Sequence, residues 1–425
     1  MAGPLILYLL LLLFCALFIL KWHEKLVPNL PKAYSLIGLS IKIIAAYSLW
    51  FIYTYYYSDR AAADIFKYFD DAATIFEATK DQLGLRWQLI LGTGNRGANM
   101  NDALANTLYW DTSSSFLFND NRTMIRLHLL LYHFSGGFYH FHLLFFALIS
   151  FLGSIGLYRF FAAFSQINRN LLYIIVFIIP SLLFWCSAPL KESWLLFGLG
   201  AFLFSLALII TKNKPAYWIS LIISFFILLS IKIYFLFALT PAFLFLLIGN
   251  FYKRKAQIGI FLTIHALFAL VFLIFNDKII STLNQKLADF KLHALEVQAS
   301  SMIEIANYSD LKSFIIVLPR AIYNVLFRAA FPLDTSLFSL MVGLETIALI
   351  ILLALPFVFY KNPTDQEKRL ALFCVSFVLI LAAIIGLTCP VLGAIVRYKA
   401  PLLPFYVILL LTFVDLRRIK RLFTK

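Results

Sequence analysis

Residues 33–77 read AYSLIGLSIKIIAAYSLWFIYTYYYSDRAAADIFKYFDDAATIFE, an apolar run that passes directly into a loop rich in acidic residues. The apolar part is long enough to cross a bilayer, because a spanning helix needs about 20 apolar residues. It ends in an aromatic cluster at residues 53–57, which is typical of a membrane interface. The stretch therefore predicts a transmembrane helix followed by a polar segment outside the bilayer.

The rest of the chain repeats this pattern. Of the 425 residues, 62% are hydrophobic and only 13% are charged. Because only helices satisfy their own backbone polar groups in lipid, the predicted fold class is all-α, a polytopic integral membrane protein with about eleven transmembrane helices. One transmembrane domain, 1–425, is expected. It would carry a large external loop with short amphipathic helices at 58–123 and a second external, partly amphipathic or re-entrant segment at 276–331.

The net charge of +15 comes from short basic clusters between apolar runs, which indicates membrane topology and not a nucleic-acid-binding face. The segment 58–123 has more acidic than basic residues, whereas the C-terminal segment 417–421 is strongly basic. Residues 5–20 lack a basic segment before them, so we interpret them as a retained first helix. The predicted N-terminus is outside and the C-terminus is cytoplasmic.

The external loop carries the first candidate site. At helical spacing, Asp64, Tyr68 and Ala72 share a face. A carboxylate on such a face is suited to act as a general base toward an acceptor, or to hold a divalent metal. The alternative interpretation is a solvated loop face with an interfacial tyrosine. The residue spacing by itself favours this alternative.

Charged residues near the ends of apolar runs form the second candidate set. Cations at these positions are suited to neutralise a lipid phosphate, with Arg binding it bidentately and Lys as a point charge. The alternative is snorkelling of long side chains to lipid headgroups. The candidates are Lys191, Glu192, Lys232, Arg320, Arg328, Arg397 and Lys399.

Three other features carry smaller predictions. Glu345 falls inside an apolar block, where a proton relay and a structural ion pair are both open interpretations. The histidines at 128, 133, 140 and 142 lack the spacing of a closed metal site, which favours packing. The GTGNRG sequence at 92–97 follows no predicted strand, so we interpret it as a flexible turn and not a nucleotide site.

Three short segments resemble a known superfamily. Asp64, Tyr68 and Ala72 resemble the DxxxYxxxA-type signature in the first long external loop of C-fold (GT-C) integral-membrane glycosyltransferases. The segment RYKAPLLP at 397–404 is similar to the RYxxPxxP segment before a last helix in the same superfamily and in related bacterial polysaccharide-assembly proteins. The segment 180–194 resembles an outer-face turn of those proteins.

The resemblance implies a glycosyltransferase that uses a polyprenyl-phosphate-linked sugar on the outer face of the bacterial inner membrane. Asp64 would be the catalytic carboxylate, with Asp59, Asp70 or Asp71 as alternatives because Ile65 stands where many members have a second acidic residue. Arg397 would contact the phosphate, with Lys399 and Lys191 as further contacts.

The acceptor would be an envelope glycan, lipid or protein, and membrane lipids would be the other partners. A divalent cation is the only cofactor left open. Two other functions stay open: an O-antigen or capsule polymerase or ligase that acts on lipid-diphosphate glycans, and a lipid or solute transporter or flippase.

Overall fold

The computed structural model of the protein describes residues 2–57, 59–60, 63–93, 97–110, 119–212, 214–252, 254–299, 301–331 and 336–423. Helices account for 82% of the structure. In the ranges just given no strand forms, and the only bridges are isolated pairs between Met302 and Val391 and between Tyr360 and Val414. The all-α prediction is therefore confirmed.

The helices of the described residues have the following bounds. They are α1 (Ala2–Leu26), α2 (Lys32–Phe51), α3 (Asp64–Ala78), α4 (Leu83–Leu91), α5 (Ala98–Leu104), α6 (Asp120–Ser135), α7 (Tyr139–Phe164), α8 (Arg169–Phe177), α9 (Pro180–Trp185), α10 (Lys191–Lys212), α11 (Ala216–Ile231), α12 (Ile233–Gly249), α13 (Gln257–Ile274), α14 (Asn276–Glu296), α15 (Leu311–Leu326), α16 (Leu337–Val358), α17 (Asp365–Thr388), α18 (Leu392–Lys399), α19 (Leu403–Leu411) and α20 (Leu416–Phe423). A π-helical turn, Ile52–Tyr56, extends α2, and short 3-10 turns lie at Arg254–Ala256, Arg328–Ala330 and Ala400–Leu402.

Eight helices of the described chain are long and apolar enough to cross a membrane, which indicates a membrane-embedded protein. They are Gly3–Leu26, Lys32–Tyr56, Tyr139–Phe164, Lys191–Lys212, Gln257–Ile274, Phe338–Val358, Asp365–Thr388 and Leu392–Leu411. Other apolar segments form shorter helices: residues 169–185 are divided between α8 and α9, and α11 and α12 are shorter than these eight.

The last of these helices differs from the sequence prediction in where it begins. It starts at Leu392 and continues through the 3-10 turn to Leu411, so it includes the segment 397–404, which the resemblance places before the last helix. Arg397 and Lys399 therefore belong to the helix itself and do not precede it. Two prolines, Pro401 and Pro404, lie near the starts of a 3-10 turn and of α19, where a missing backbone N–H is tolerated.

The chain divides into two compact units. Unit 1 consists of residues 1–160 and 183–233, and unit 2 consists of residues 161–182 and 234–425. The predicted external loop at 58–123 lies in unit 1, although its residues 58, 61–62, 94–96 and 111–118 lie outside the described residues. The second predicted segment, 276–331, lies in unit 2 and forms α14 and α15.

Close helix contact at small residues organises the membrane part of unit 1. Gly153 and Gly156 of α7 face the backbone of α10 at Leu196 and Gly200. A Cβ atom at Gly153 would lie 2.5 Å from the carbonyl oxygen of Leu196, a separation that packed side chains do not adopt. Small residues let transmembrane backbones approach in this way, and α10 is therefore fixed against α7.

The polar helices of unit 1 pack on one another through aromatic rings. Phe69 of α3 lies 5.0 Å from the Tyr132 ring and 6.0 Å from the His128 ring of α6. His128 is fully buried, and its Nδ1 lies 2.8 Å from Nδ1 of His142. The structure thus places these two histidines in an aromatic core, as the packing interpretation expects.

Unit 2 has its own apolar core, in which α14 and α15 join α17. The Ala321 backbone of α15 contacts Gly386 of α17 so closely that a side chain at Gly386 has no room. The Tyr308 hydroxyl donates to the Leu387 carbonyl oxygen at 3.0 Å. The buried residues of this core are Ile280, Leu287, Ile305, Tyr308, Phe314, Val317, Ala321 and Leu387.

Gly153→Ala is expected to lower the thermal unfolding midpoint of the detergent-solubilised chain. The added methyl group would overlap the α10 backbone, and overpacking of this kind costs about 1–3 kcal/mol. Gly259→Ala on α13 is the matched control, since nothing lies within 4 Å of its Cβ position. The control should be neutral or slightly stabilising, because Ala favours a helix over Gly by about 1 kcal/mol. Equal midpoints for the two variants would contradict the close contact.

Candidate functional site

The sequence around Asp64 forms a helix because its apolar residues recur on one side. Ile65, Phe69 and Ala72 of α3 are buried, as the helical period requires. Asp64 is the first helical residue, where a carboxylate interacts favourably with the unpaired N–H groups of the first turn. Its side chain is 32% exposed, so the carboxylate stays within reach of solvent.

Asp64 has a cationic neighbour one turn further along α3. The Nζ atom of Lys67 lies 3.0 Å from the Asp64 Oδ1 atom, and Lys67 is only 14% exposed. The same ammonium group lies 4.9 Å from the centre of the Tyr109 ring. Lys67 therefore places a positive charge directly beside the Asp64 carboxylate.

Lys191, the first residue of α10, brings a second cation to the same place. Its Nζ atom lies 2.6 Å from the Oδ2 atom of Asp120, at the start of α6, and 5.5 Å from the centre of the Tyr68 ring. Asp64 also acts on this ammonium group electrostatically. The structure thus brings together the predicted residues Asp64, Tyr68 and Lys191. We call these three, with Lys67, Asp120, Glu192 and Lys232, the charged cluster.

Hydrogen bonds hold the start of α6 in this arrangement. The Tyr68 hydroxyl donates to Oδ1 of Asn121 at 3.3 Å, and the Thr123 hydroxyl donates to the Ser230 carbonyl oxygen at 3.1 Å. The Asn119 side chain caps α6 by accepting the Arg122 backbone N–H at 3.1 Å. These contacts position Asp120 between α3 and the end of α11.

Glu192, the residue after Lys191, forms a buried ion pair with Lys232. Their charged atoms lie 2.8 Å apart, and the side chains are 0% and 7% exposed. The pair joins the first turn of α10 to the residue that follows α11. Because Lys191 and Lys232 lie at the ends of apolar helices, the charged cluster lies at one boundary of the membrane-spanning part.

Substitutions of this ion pair are expected to be strongly coupled. Lys232→Met alone leaves the Glu192 carboxylate buried without its cation. Glu192→Gln alone leaves the Lys232 ammonium group buried without its carboxylate. Each substitution is expected to lower the free energy of unfolding by about 3–5 kcal/mol. The double variant removes both charges and should cost clearly less than the sum. Unfolding in mixed micelles measures the three variants in a double-mutant cycle, and additive costs would contradict the pairing.

Asp71, the second predicted catalytic carboxylate, is held by the backbone. It is only 3% exposed, and its two oxygens accept the N–H groups of Leu108 and Tyr109 at 2.9 and 2.7 Å. Burial raises the pKa of the Asp71 carboxyl above its usual range, although the N–H donors, including that of Trp110, act in the opposite direction. Asp71 thus anchors the segment after α5, which favours Asp64 as the reactive carboxylate.

The remaining acidic candidates of this loop are solvent-facing. Asp59 is exposed. Asp70 receives two hydrogen bonds from the guanidinium of Arg60, at 2.9 and 2.6 Å. That guanidinium also covers the Phe66 ring, with its carbon 4.1 Å from the ring centre. The bidentate pairing gives Asp70 a role in holding the start of α3.

Asp71→Asn is expected to destabilise the protein more than Asp64→Asn. An amide at position 71 turns an N–H₂ group toward backbone donors, and one unsatisfied buried group costs about 1–3 kcal/mol. Asp64→Asn removes a partly exposed ion pair, which is worth about 1 kcal/mol or less. Thermal unfolding of the two detergent-solubilised variants measures the difference, and the reverse order would contradict these roles.

Four predicted residues belong to unit 2. Arg320 is exposed on α15, and Arg328 is half-buried in the 3-10 turn that follows. Arg397 is half-buried on α18. Lys399 is fully buried, and its Nζ atom donates to the Val325 carbonyl oxygen at 3.0 Å. Lys399 therefore helps to fasten α18 to α15.

Glu345, the acidic residue inside an apolar helix, has a structural contact in unit 2. Its Oε2 atom accepts the Ser181 backbone N–H at 2.7 Å, at the start of α9. Its Oε1 atom is buried without a hydrogen-bond partner. Glu345 also acts electrostatically on Lys399, and the proton relay and the ion pair both stay predictions.

The described residues contain no group of three or more His, Cys, Asp or Glu side chains arranged to hold a metal ion. Within the charged cluster, lysines stand between the carboxylates. The cluster therefore offers fixed ammonium groups where a metal-dependent site would offer converging acidic ligands.

Sequence reasoning missed two residues of the charged cluster, Lys67 and Asp120. Asp120 follows the helix-capping Asn119, so its position at the first turn of α6 is readable from the sequence. Its pairing with Lys191 cannot be predicted from the sequence, because the two residues are distant in the chain. Lys232 was recognised as a boundary cation, but its buried partner Glu192 became apparent only in the fold.

No protein-family model, curated protein or solved structure matches this chain.

Proposed function

We propose that the protein is a membrane glycosyltransferase that moves a sugar from a polyprenyl-phosphate-linked donor to an envelope glycan, lipid or protein. The observation that carries the proposal is the juxtaposition of Asp64 with the ammonium groups of Lys67 and Lys191 at a membrane boundary. A lipid-linked phosphate needs such a place, because its chain lies in the bilayer and its charge lies at the surface.

In the proposed reaction the Asp64 carboxylate accepts the proton of an acceptor hydroxyl, while the oxygen of that hydroxyl bonds to the anomeric carbon of the sugar. The bond between that carbon and the phosphate oxygen breaks, and the electron pair leaves with the polyprenyl phosphate. Lys67 and Lys191 stabilise the charge that develops on the leaving phosphate, because their ammonium groups are already fixed in position. Asp120 and Asp64 hold these cations before the donor binds.

The remaining residues of the charged cluster support this arrangement. Tyr68 supplies an aromatic face beside Lys191 and a hydroxyl that holds Asn121. The buried pair of Glu192 and Lys232 keeps the first turn of α10 in place. In unit 2, Arg320, Arg328 and Arg397 stay binding residues predicted from the sequence alone, whereas Lys399 is fully buried and donates to the Val325 carbonyl oxygen.

We further propose the topology that goes with this activity. The chain would cross the bacterial inner membrane about eleven times, with α8 to α9, α11 and α12 as short crossings in addition to the longer helices. The basic residues Lys212 and Lys214 and the basic helix α20 support a cytoplasmic position for those segments. The charged cluster would then face the outer side, where lipid-linked sugars are used.

Asp64→Asn is expected to abolish sugar transfer in cells while leaving the protein folded. Loss of a general base reduces such a rate by about 10²–10⁴-fold. Mass spectrometry of envelope glycans and lipid-linked sugars, in a deletion strain complemented at matched protein levels, should show one sugar missing and its lipid-phosphate donor accumulated. Lys191→Met should give the same defect.

Glu77→Gln is the matched control, because Glu77 lies on the same helix, is exposed and pairs only loosely with Lys80. It should behave as wild type. A wild-type glycan profile in the Asp64→Asn strain, together with altered chain length in the deletion strain, would replace the transferase proposal with polymerisation or ligation. An unchanged profile in the deletion strain would exclude both.

A further inference from the structure

Unit 1 contains a cavity that the charged cluster does not use. It has a volume of about 150 Å³ and lies among α4, α5 and α6. Gln88, Asn101, Trp110, Arg122 and Arg126 contribute side chains to its wall. A cavity of this volume has the size that accepts one six-membered ring.

Two arginines give the cavity its charge. Arg122 and Arg126 are one turn apart on α6 and both line it. Arg122 is only 8% exposed, and the Arg126 Nε atom donates to the Leu89 carbonyl oxygen at 3.0 Å. Burial, and the neighbouring charge of Arg122, lower the pKa of Arg126 below its ordinary value. Both guanidinium groups therefore border the cavity, and a guanidinium binds a carboxylate or a phosphate through paired N–H donors.

The loop after α4 is shaped to keep the Arg126 guanidinium accessible. Gly92 ends α4 with a φ of +70°, in the left-handed region that favours glycine. A Cβ atom there would lie 2.9 Å from a terminal nitrogen of Arg126. Gly92 belongs to the GTGNRG motif, whose residues 94–96 lie outside the described residues. The described part of the motif thus forms a helix end that makes room for the guanidinium.

The other lining groups are those that bind sugars. Trp110 lies with its ring centre 5.5 Å from the Arg126 guanidinium carbon and offers a flat apolar face. Gln88 and Asn101 offer amides, which both donate and accept hydrogen bonds as sugar hydroxyls require. A second, more open cavity of about 520 Å³ shares Gln88 and Met100 with the first and adds Gln82 and Asn99. The Gln88 side chain is therefore an amide common to both cavities.

We propose that this cavity binds a negatively charged sugar unit of the glycan acceptor, with Arg122 and Arg126 at the anionic group and Trp110 against the ring. The assignment to an acceptor rests on the proposed transferase function. The position on α6 supports it, because the same helix presents Asp120, two residues before Arg122 and six before Arg126, to the charged cluster. The charge comes from a carboxylate or a phosphate, since both suit a guanidinium pair.

Saturation-transfer NMR on the purified full-length protein in detergent tests the inference. The probes are methyl glucuronoside, glucose 6-phosphate and neutral methyl glucoside. At least one anionic probe should bind about tenfold more tightly than the neutral one, and Arg126→Gln should reduce that affinity about tenfold, because a hydrogen bond to a charged group is worth about 1.5–3 kcal/mol. The anionic probe that binds identifies the carboxylate or the phosphate as the source of charge.

Arg60→Gln is the matched control, since Arg60 is an exposed arginine of the same unit that pairs with Asp70. It should leave binding unchanged. Asn101→Ala provides a second cavity variant if the unfolding midpoint shows that Arg126→Gln is destabilised. Equal binding of charged and neutral probes, or full affinity in Arg126→Gln and Asn101→Ala, would overturn the inference.

The same experiment separates this inference from the proposed function. Asp64→Asn should bind the anionic probe as wild type does, because Asp64 does not line the cavity. If Arg126-dependent binding persists while Asp64→Asn cells keep a wild-type glycan profile, the cavity assignment stands and the transferase proposal fails. If binding is absent while Asp64→Asn abolishes transfer, the transferase proposal stands and the cavity assignment fails.

Discussion

The ion pair between Glu192 and Lys232 is the contact on which the charged cluster depends. Glu192 is fully buried and Lys232 nearly so, and an unpaired charge in such a place costs several kcal/mol. The pair therefore fixes the first turn of α10 relative to the end of α11. Since Lys191 precedes Glu192 directly, its ammonium group is directed to Asp120 and the Tyr68 ring. Close backbone packing of α7 on α10 at Gly153 holds the same helix further along its length.

Two carboxylates of α3 show how environment assigns roles to identical groups. Asp71 is buried and saturated by backbone N–H groups, so its charge is used to hold the segment after α5. Asp64 remains partly exposed beside Lys67 and interacts electrostatically with Lys191. A general base must be able to reach its substrate, and the partly exposed Asp64 meets this condition of the proposal where the buried Asp71 does not.

Helix α6 connects the two regions of unit 1 that carry charge. Its first turn presents Asp120 to Lys191, and its next residues present Arg122 and Arg126 to the amide-lined cavity. The aromatic contacts of Phe69 with His128 and Tyr132 hold α6 against α3. A rigid helix in this position sets the distance between the proposed reaction centre and the proposed acceptor subsite, and rigid elements hold such sites more accurately than loops do.

The sequence by itself determined that the chain is all-helical and membrane-embedded, because apolar runs of spanning length leave no other way to satisfy the backbone. It also indicated the helical face of Asp64 and Tyr68, which depends only on local periodicity. Pairings between distant residues were beyond it: Asp120 with Lys191, Glu192 with Lys232, and Asp71 with the backbone of Leu108. Only the tertiary structure decided these pairings, because the helices that pack together determine the burial and the partners of a charge. The spacing of residues within one helix does not predict that packing.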